Sequence, residues 1–323
     1  MEKAYLSQPL RPFVLLTSVS VRYSEILAAV KFKDVTIAFS RCPPSQFERP
    51  ESIARRGLRP HPLGYSAVKV RVTGRDPYSA GDRALENLDL LRGLWNLYLN
   101  FGRWRISSGE SRKCVNEIVP GPIHTIHVPN GKAATDEYWF EPEFDARVNG
   151  VALENNYLKV KKFESWARKQ LQLCPYGMRI EKLIIRYTRA LDERNLTNAF
   201  LRIWSLLEEL TATQMLNHKL TVRRAARLFQ NHEYAQLVLN NLRSFRNRIV
   251  HESHETDQAE GLLYEAKSYV ETMLRFLLKY HRTFSSLEEL GKFLDLPINR
   301  DALRTGLRYR RFALELDTGE DPS

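Results

Sequence analysis

The sequence predicts an α+β protein: a β-rich N-terminal domain with one or two helices over residues 1–150, then an all-α helical bundle over residues 151–323. Three observations carry this expectation. Short runs rich in Val, Thr and Ile crowd the first part of the chain. From about residue 156 they vanish, and apolar residues recur at helical spacing to about residue 295. The length of 323 residues suits two domains of ordinary size.

The strand candidates come first. They are "FVLLTSVSVRY" (13–23), "DVTIAFS" (34–40) and "SAVKVRVTG" (66–74). The third alternates, with Val68, Val70 and Val72 on one face and Lys69, Arg71 and Thr73 on the other. Three prolines make 41–51 a loop, and 54–64 is a second, basic loop. In 76–102, Leu85, Leu88, Leu90 or Leu91, and Trp95 recur at helical spacing; Asp76, Ser79 or Asp82 caps the start and Gly102 ends it. "GPIHTIHV" (121–128) is a further strand, and 137–144 an edge strand or loop, because Pro142 has no N–H for a ladder.

Helices are expected near 156–172, 177–193, 196–217, 220–229, 233–251, 257–281 and 286–294. Asp257 is a cap for the sixth of these, and Ser285 with Glu288 matches a capping box for the last. No internal repeat is present, and "ELDTGEDPS" closes the chain as a polar, acidic tail expected to fray.

Composition narrows the function classes. A hydrophobic fraction of 43% and a charged fraction of 27% are those of a soluble globular protein. No apolar run is long enough to span a bilayer, and the first residues lack a secretory signal, so a cytoplasmic location is expected. Cys42, Cys114 and Cys174 are scattered and odd in number, which fits reduced thiols. The net charge of +11 and pI near 9.5 suit a polyanionic partner. That excess divides as roughly +5 before residue 150 and +6 after it, so it singles out neither part. With no P-loop, no GxGxxG and no nucleophile elbow, nucleotide-driven motors, dinucleotide enzymes and serine hydrolases have no support.

One stretch concentrates chemistry. "RSFRNRIVHESH" (243–254) holds three arginines, one asparagine and two histidines beside Leu242, Phe245 and Ile249, an apolar stripe. On a helix, Asn247 and His251 are four apart and Arg248 and His251 three apart, so each pair shares a face. Arg246 lies about 140° around from His251, within reach for a long side chain. RNA carries its own nucleophile, the ribose 2′-hydroxyl. A histidine can take that proton or give one to the leaving 5′-oxygen. An arginine can brace the phosphate. An amide can orient the histidine or bind phosphate. The spacing alone does not select the pair. It recurs at Arg56/His61 and Arg227/His232, and with one more residue between at Arg248/His254 and Arg275/His281. A basic helix end meeting the negative end of its dipole reads the same way.

"RNRIVH" in this helical setting resembles the R-[polar]-x3-H signature of the HEPN superfamily, helical bundles many of which are metal-independent endoribonucleases. Asn247 directly after Arg246 matches the commoner form; Leu228 and Gly57 stand at that place after Arg227 and Arg56. Upstream, 180–212, with Trp204, Leu207 and Glu208, resembles the paired helices before the motif in the ApeA-like HEPN group, and 262–280 resembles the closing helix. The likeness spans roughly 156–282. It implies an HEPN-type bundle, an RNA substrate, no cofactor and no metal. It also implies catalysis by Arg246, Asn247 and His251 across a two-fold homodimer, in a toxin or anti-phage defence effector under an inhibitory or activating protein partner. The alternative is a non-catalytic module that binds nucleic acid or mediates dimerisation and assembly. Ser253 stands where family toxins often carry a tyrosine that is modified, which speaks against that control. The β-rich part is similar in make-up to sensing domains placed before HEPN domains.

Arg248, His254 and Glu208 are second-line site candidates by position, each expected to face solvent; Arg248 and His254, with Arg304 and Arg308 of the basic "RYRR" region, are the RNA-binding candidates. Trp104, in the aromatic and basic run 101–109, suits base stacking but is expected in the core or a hairpin. His124 and His127 are three apart on a strand and so point to opposite faces, which argues against a shared metal.

Overall fold

The computed structural model describes residues 9–23, 29–32, 34–59, 61–104, 114–145, 150–153, 156–213, 217–252 and 259–317; the side chains of residues 251, 252 and 317 are not among those described. The α+β expectation holds: an antiparallel sheet is followed by a helical region.

Period-2 alternation builds the sheet. In β4 (Ser66–Gly74), Val68, Val70 and Val72 are buried while Arg71 is exposed. β4 pairs with β1 (Arg11–Val19), which sets those valines opposite Thr17, Leu15 and Phe13. β2 (Val30–Phe32), a short strand that its sequence does not announce, pairs with β3 (Val35–Ser40). With β5 (Ile123–His127) and β6 (Trp139–Phe140) the order is β2-β3-β4-β1-β5-β6. β6 is a two-residue edge, as expected so close to Pro142.

After the short α1 (Glu51–Arg55) and β4 comes α2 (Pro77–Leu99), the centre of the molecule. Asp76 caps it by accepting from the backbone N–H groups of Tyr78 and Ser79, and Gly102 follows its end at φ +69°. Its buried residues run without a break from Leu88 to Leu97, so it is enclosed on all sides rather than along one stripe. One side meets the sheet. The other meets α3 (Tyr157–Leu173) and α4 (Gly177–Asp192). One continuous apolar core therefore crosses residue 150, where strand-forming sequence gives way to helix-forming sequence.

The bundle continues with α5 (Leu196–Leu210), α6 (His218–Ala226), α7 (His232–Glu252), α8 (Ala259–Tyr280), α9 (Leu287–Leu294) and α10 (Arg300–Asp317). α5 stops short of the expected 217 because Thr211 bonds back to the Leu207 carbonyl and Ala212 turns to φ +50°. α6 starts earlier than expected because the Asn217 side chain caps it. The cap of α9 sits one residue later than expected, with Ser286 as N-cap and Glu289 reaching back to Ser285. Asp257, expected to cap α8, lies outside the described residues. α10, beyond the last helix expected at 286–294, is a full helix capped by Asn299.

Two buried polar networks tie these elements together. In the first, Arg92 bonds both oxygens of Asp192 and one of Asp89, and Arg189 grips both oxygens of Glu141 at 2.9 Å. His124 completes it, 2.5 Å from Thr17 Oγ1 and 3.1 Å from Glu141. Burial alone would raise the Glu141 pKa, but the hydrogen bond with His124 and the Arg189 charge overcome it and hold the group at about 2. In the second, Lys267 pairs with Glu271 at 2.9 Å, Tyr187 donates to Glu271 at 2.5 Å, and Lys267 donates to the Asn100 carbonyl. Burial pushes Lys267 down and Glu271 up. Both networks are joined up internally, the second closed to solvent and the first reaching it only through Arg189, which suits scaffolding better than a reaction site.

Candidate active site on helix α7

The expected apolar stripe is real and places the motif. Ala235, Leu239, Leu242, Phe245 and Ile249 are all buried, at spacings of three and four. Phe245 packs edge-on against Phe200 of α5 at 4.9 Å between ring centroids. At the other end, the Tyr269 hydroxyl of α8 donates to the Ala235 carbonyl. Burying each large apolar side chain contributes about 1.5–3 kcal/mol, so this face of α7 is firmly seated.

The polar set follows from that seating. Arg246 and Asn247 come directly after Phe245, at the border of the seam, and both are half-buried. The Arg246 guanidinium donates to Asn247 Oδ1 at 3.4 Å. Arg248 is exposed. His251 is carried on the same helix, one turn beyond Asn247, with its side chain outside the described set; His254 lies outside it altogether.

Among the described residues no carboxylate pairs with Arg246 or Arg248. Among the described residues the half-buried Arg243 of the same helix likewise has no carboxylate partner, whereas three other arginines withdrawn from solvent do. Arg92, Arg189 and Arg224 are all committed to aspartate or glutamate. Most groups at the competing Arg/His spacings have neutral partners, Arg248 and His61 Nδ1 excepted. Arg227 donates to the Pro297 carbonyl and His232 meets the Ala226 carbonyl. Arg275 lies on the Phe101 ring at 3.7 Å, and His281 is buried against the Leu278 carbonyl. Arg56 donates to the Tyr138 hydroxyl.

The remaining candidates fall elsewhere. Arg304 and Arg308 are exposed on α10, where Arg304 pairs with Asp301 at 3.4 Å and Arg308 stacks on Tyr309. Trp104 is not a core residue: it is 52% exposed and stacks on Tyr264 of α8. Glu208 does not face solvent. It accepts from the Trp204 indole N–H at 2.8 Å and meets His218 Nδ1 at 2.5 Å. His218 carries no motif, and only its place beside the Asn217 cap could have drawn notice to it. His124 and His127 take different partners on opposite faces of β5.

No protein-family model, no curated protein and no solved structure matches this chain. No described helix is long and apolar enough to cross a membrane.

Proposed function

We propose that the chain is a cytoplasmic, metal-independent endoribonuclease of the HEPN type, acting as a toxin or anti-phage effector. The observation that carries this reading is a half-buried guanidinium with no carboxylate partner among the described residues, touching an amide, one helical turn or so from a histidine. A phosphate is the natural counter-ion for such a group. In the proposed reaction the ribose 2′-hydroxyl attacks the adjacent phosphorus and the bond to the 5′-oxygen breaks. The products are a 2′,3′-cyclic phosphate and a 5′-hydroxyl. His251 takes the 2′ proton or supplies one to the 5′-oxygen, Arg246 braces the phosphate, and Asn247 orients these groups. A second copy facing the first across a two-fold axis would close the site to water. The experiment is end-group analysis of RNA incubated with the protein and EDTA. Cyclic phosphate ends support the reading, and 3′-hydroxyl ends sink it.

A second reading, binding without cleavage, draws on α10. Its exposed Arg304 and Arg308 suit phosphate contacts that need no chemistry. Retention of intact RNA in the same incubation would favour it.

A further inference from the structure

The sheet face away from α2 is covered by residues 43–59 with His61, and the two line a cavity of about 320 Å³. Its floor is Leu16, Ala67, Ile123, Thr125 and His127 from three neighbouring strands. Its roof is Phe47, Pro50 and Ile53, with His61 at the far end of the segment. The size is at the lower end for small-molecule sites, and the lining is mainly apolar, as such sites require.

Two imidazole nitrogens inside make no well-formed hydrogen bond. His127 is fully buried; its Nε2 meets Thr125 Oγ1 at 2.8 Å, while its Nδ1 makes no well-formed hydrogen bond. Nδ1 of His61 is likewise buried without one. Burial pushes both imidazoles below their ordinary range, against weaker pulls from the Gly131 and Arg41 backbones. At neutral pH each therefore offers a neutral donor or acceptor rather than a charge. A buried polar atom so weakly satisfied is destabilising, and a ligand edge would supply its missing bond. At the mouth, Arg49 and Arg59 are exposed beside a single acid, Glu48. Arg49 is occupied with the Leu58 carbonyl at 2.7 Å; Arg59 has no carboxylate partner among the described residues.

We propose that this cavity binds a small aromatic carboxylate. The ring lies on the apolar floor beside Phe47, which itself packs edge-on against His127 at 5.2 Å, its edge faces His61, and its carboxylate reaches Arg59. The site stands apart from α7, so its fate does not depend on the RNA-cleaving reading.

The test is calorimetric titration of the full chain with 2-naphthoate, beside the neutral 2-naphthalenemethanol. The expected result is one saturable site for naphthoate with a Kd below about 1 mM. Arg59→Glu, a change at an exposed residue, should weaken naphthoate about tenfold and leave the neutral analogue unchanged. Ala67→Leu, which fills the floor, should abolish both in protein whose circular dichroism shows it folded. No saturable binding of naphthoate overturns the proposal. So does equal affinity for the two probes, or naphthoate binding that Arg59→Glu leaves intact.

Discussion

Arg92 of α2 and Asp192 of α4 meet side by side, Nη1 to Oδ1 at 3.2 Å and Nη2 to Oδ2 at 2.9 Å, with the arginine side chain fully buried. They are 100 residues apart in the chain. The pair locks the helix that lies on the sheet to the bundle. Removing Asp192 leaves Asp89 as the remaining carboxylate on the buried guanidinium and strips charge-assisted hydrogen bonds worth about 1.5–3 kcal/mol. Asp192→Ala should therefore lower the stability by that order in chemical denaturation. The unfolding should stay a single transition, because the core is continuous.

Lys267 and Glu271 give a prediction with a pH sign. In Lys267→Met the Glu271 carboxylate loses its counter-charge, and burial already raises its pKa. A group with a raised folded pKa contributes stability that is present below its unfolded pKa and is lost as pH rises through the folded one. The variant should be much closer to wild type at acid pH than at pH 8, as thermal melts across that range will show.

Glu141 gives the opposite sign. Its folded pKa of about 2 lies below the ordinary 4.5. Its contribution, on the order of a few kcal/mol, is present above the unfolded pKa and is lost as pH falls from about 4.5 to about 2. Glu141→Gln should flatten the acid limb of the stability profile in that window.

Gly93 of α2 packs directly against α4. A Cβ there would meet Thr188 Oγ1 and, at 2.6 Å, Ile184 Cγ2. Gly93→Val should cost about 1–3 kcal/mol through overpacking, although glycine is a poor helix former. Denaturant midpoints measure it.

The legible parts of the fold were those governed by periodicity. The valines of β4, the edge at Pro142 and the stripe Leu242, Phe245 and Ile249 follow from it directly. What hid was tertiary. Arg92, Asp89 and Asn96 look like solvent residues in a helix of leucines, yet all three are buried because partners 20 to 100 residues away satisfy them. Trp104 looks like core and is half exposed. Of the candidate site, the helix and its buried stripe could be read from spacing, whereas the contact of Arg246 with its chain neighbour Asn247 could not. Glu208 and His218 could not, since a loop folds them together.

The central claim is that Arg246 and His251 break a ribose–phosphate bond. The direct measurement is the rate of cleavage of total RNA in EDTA by the wild-type chain, Arg246→Ala and His251→Ala, each checked for a native melting temperature. Cleavage by wild type that falls at least about a hundredfold in both variants is the predicted result. Cleavage that persists in either variant, or an intact RNA pool after incubation with wild type, would contradict it.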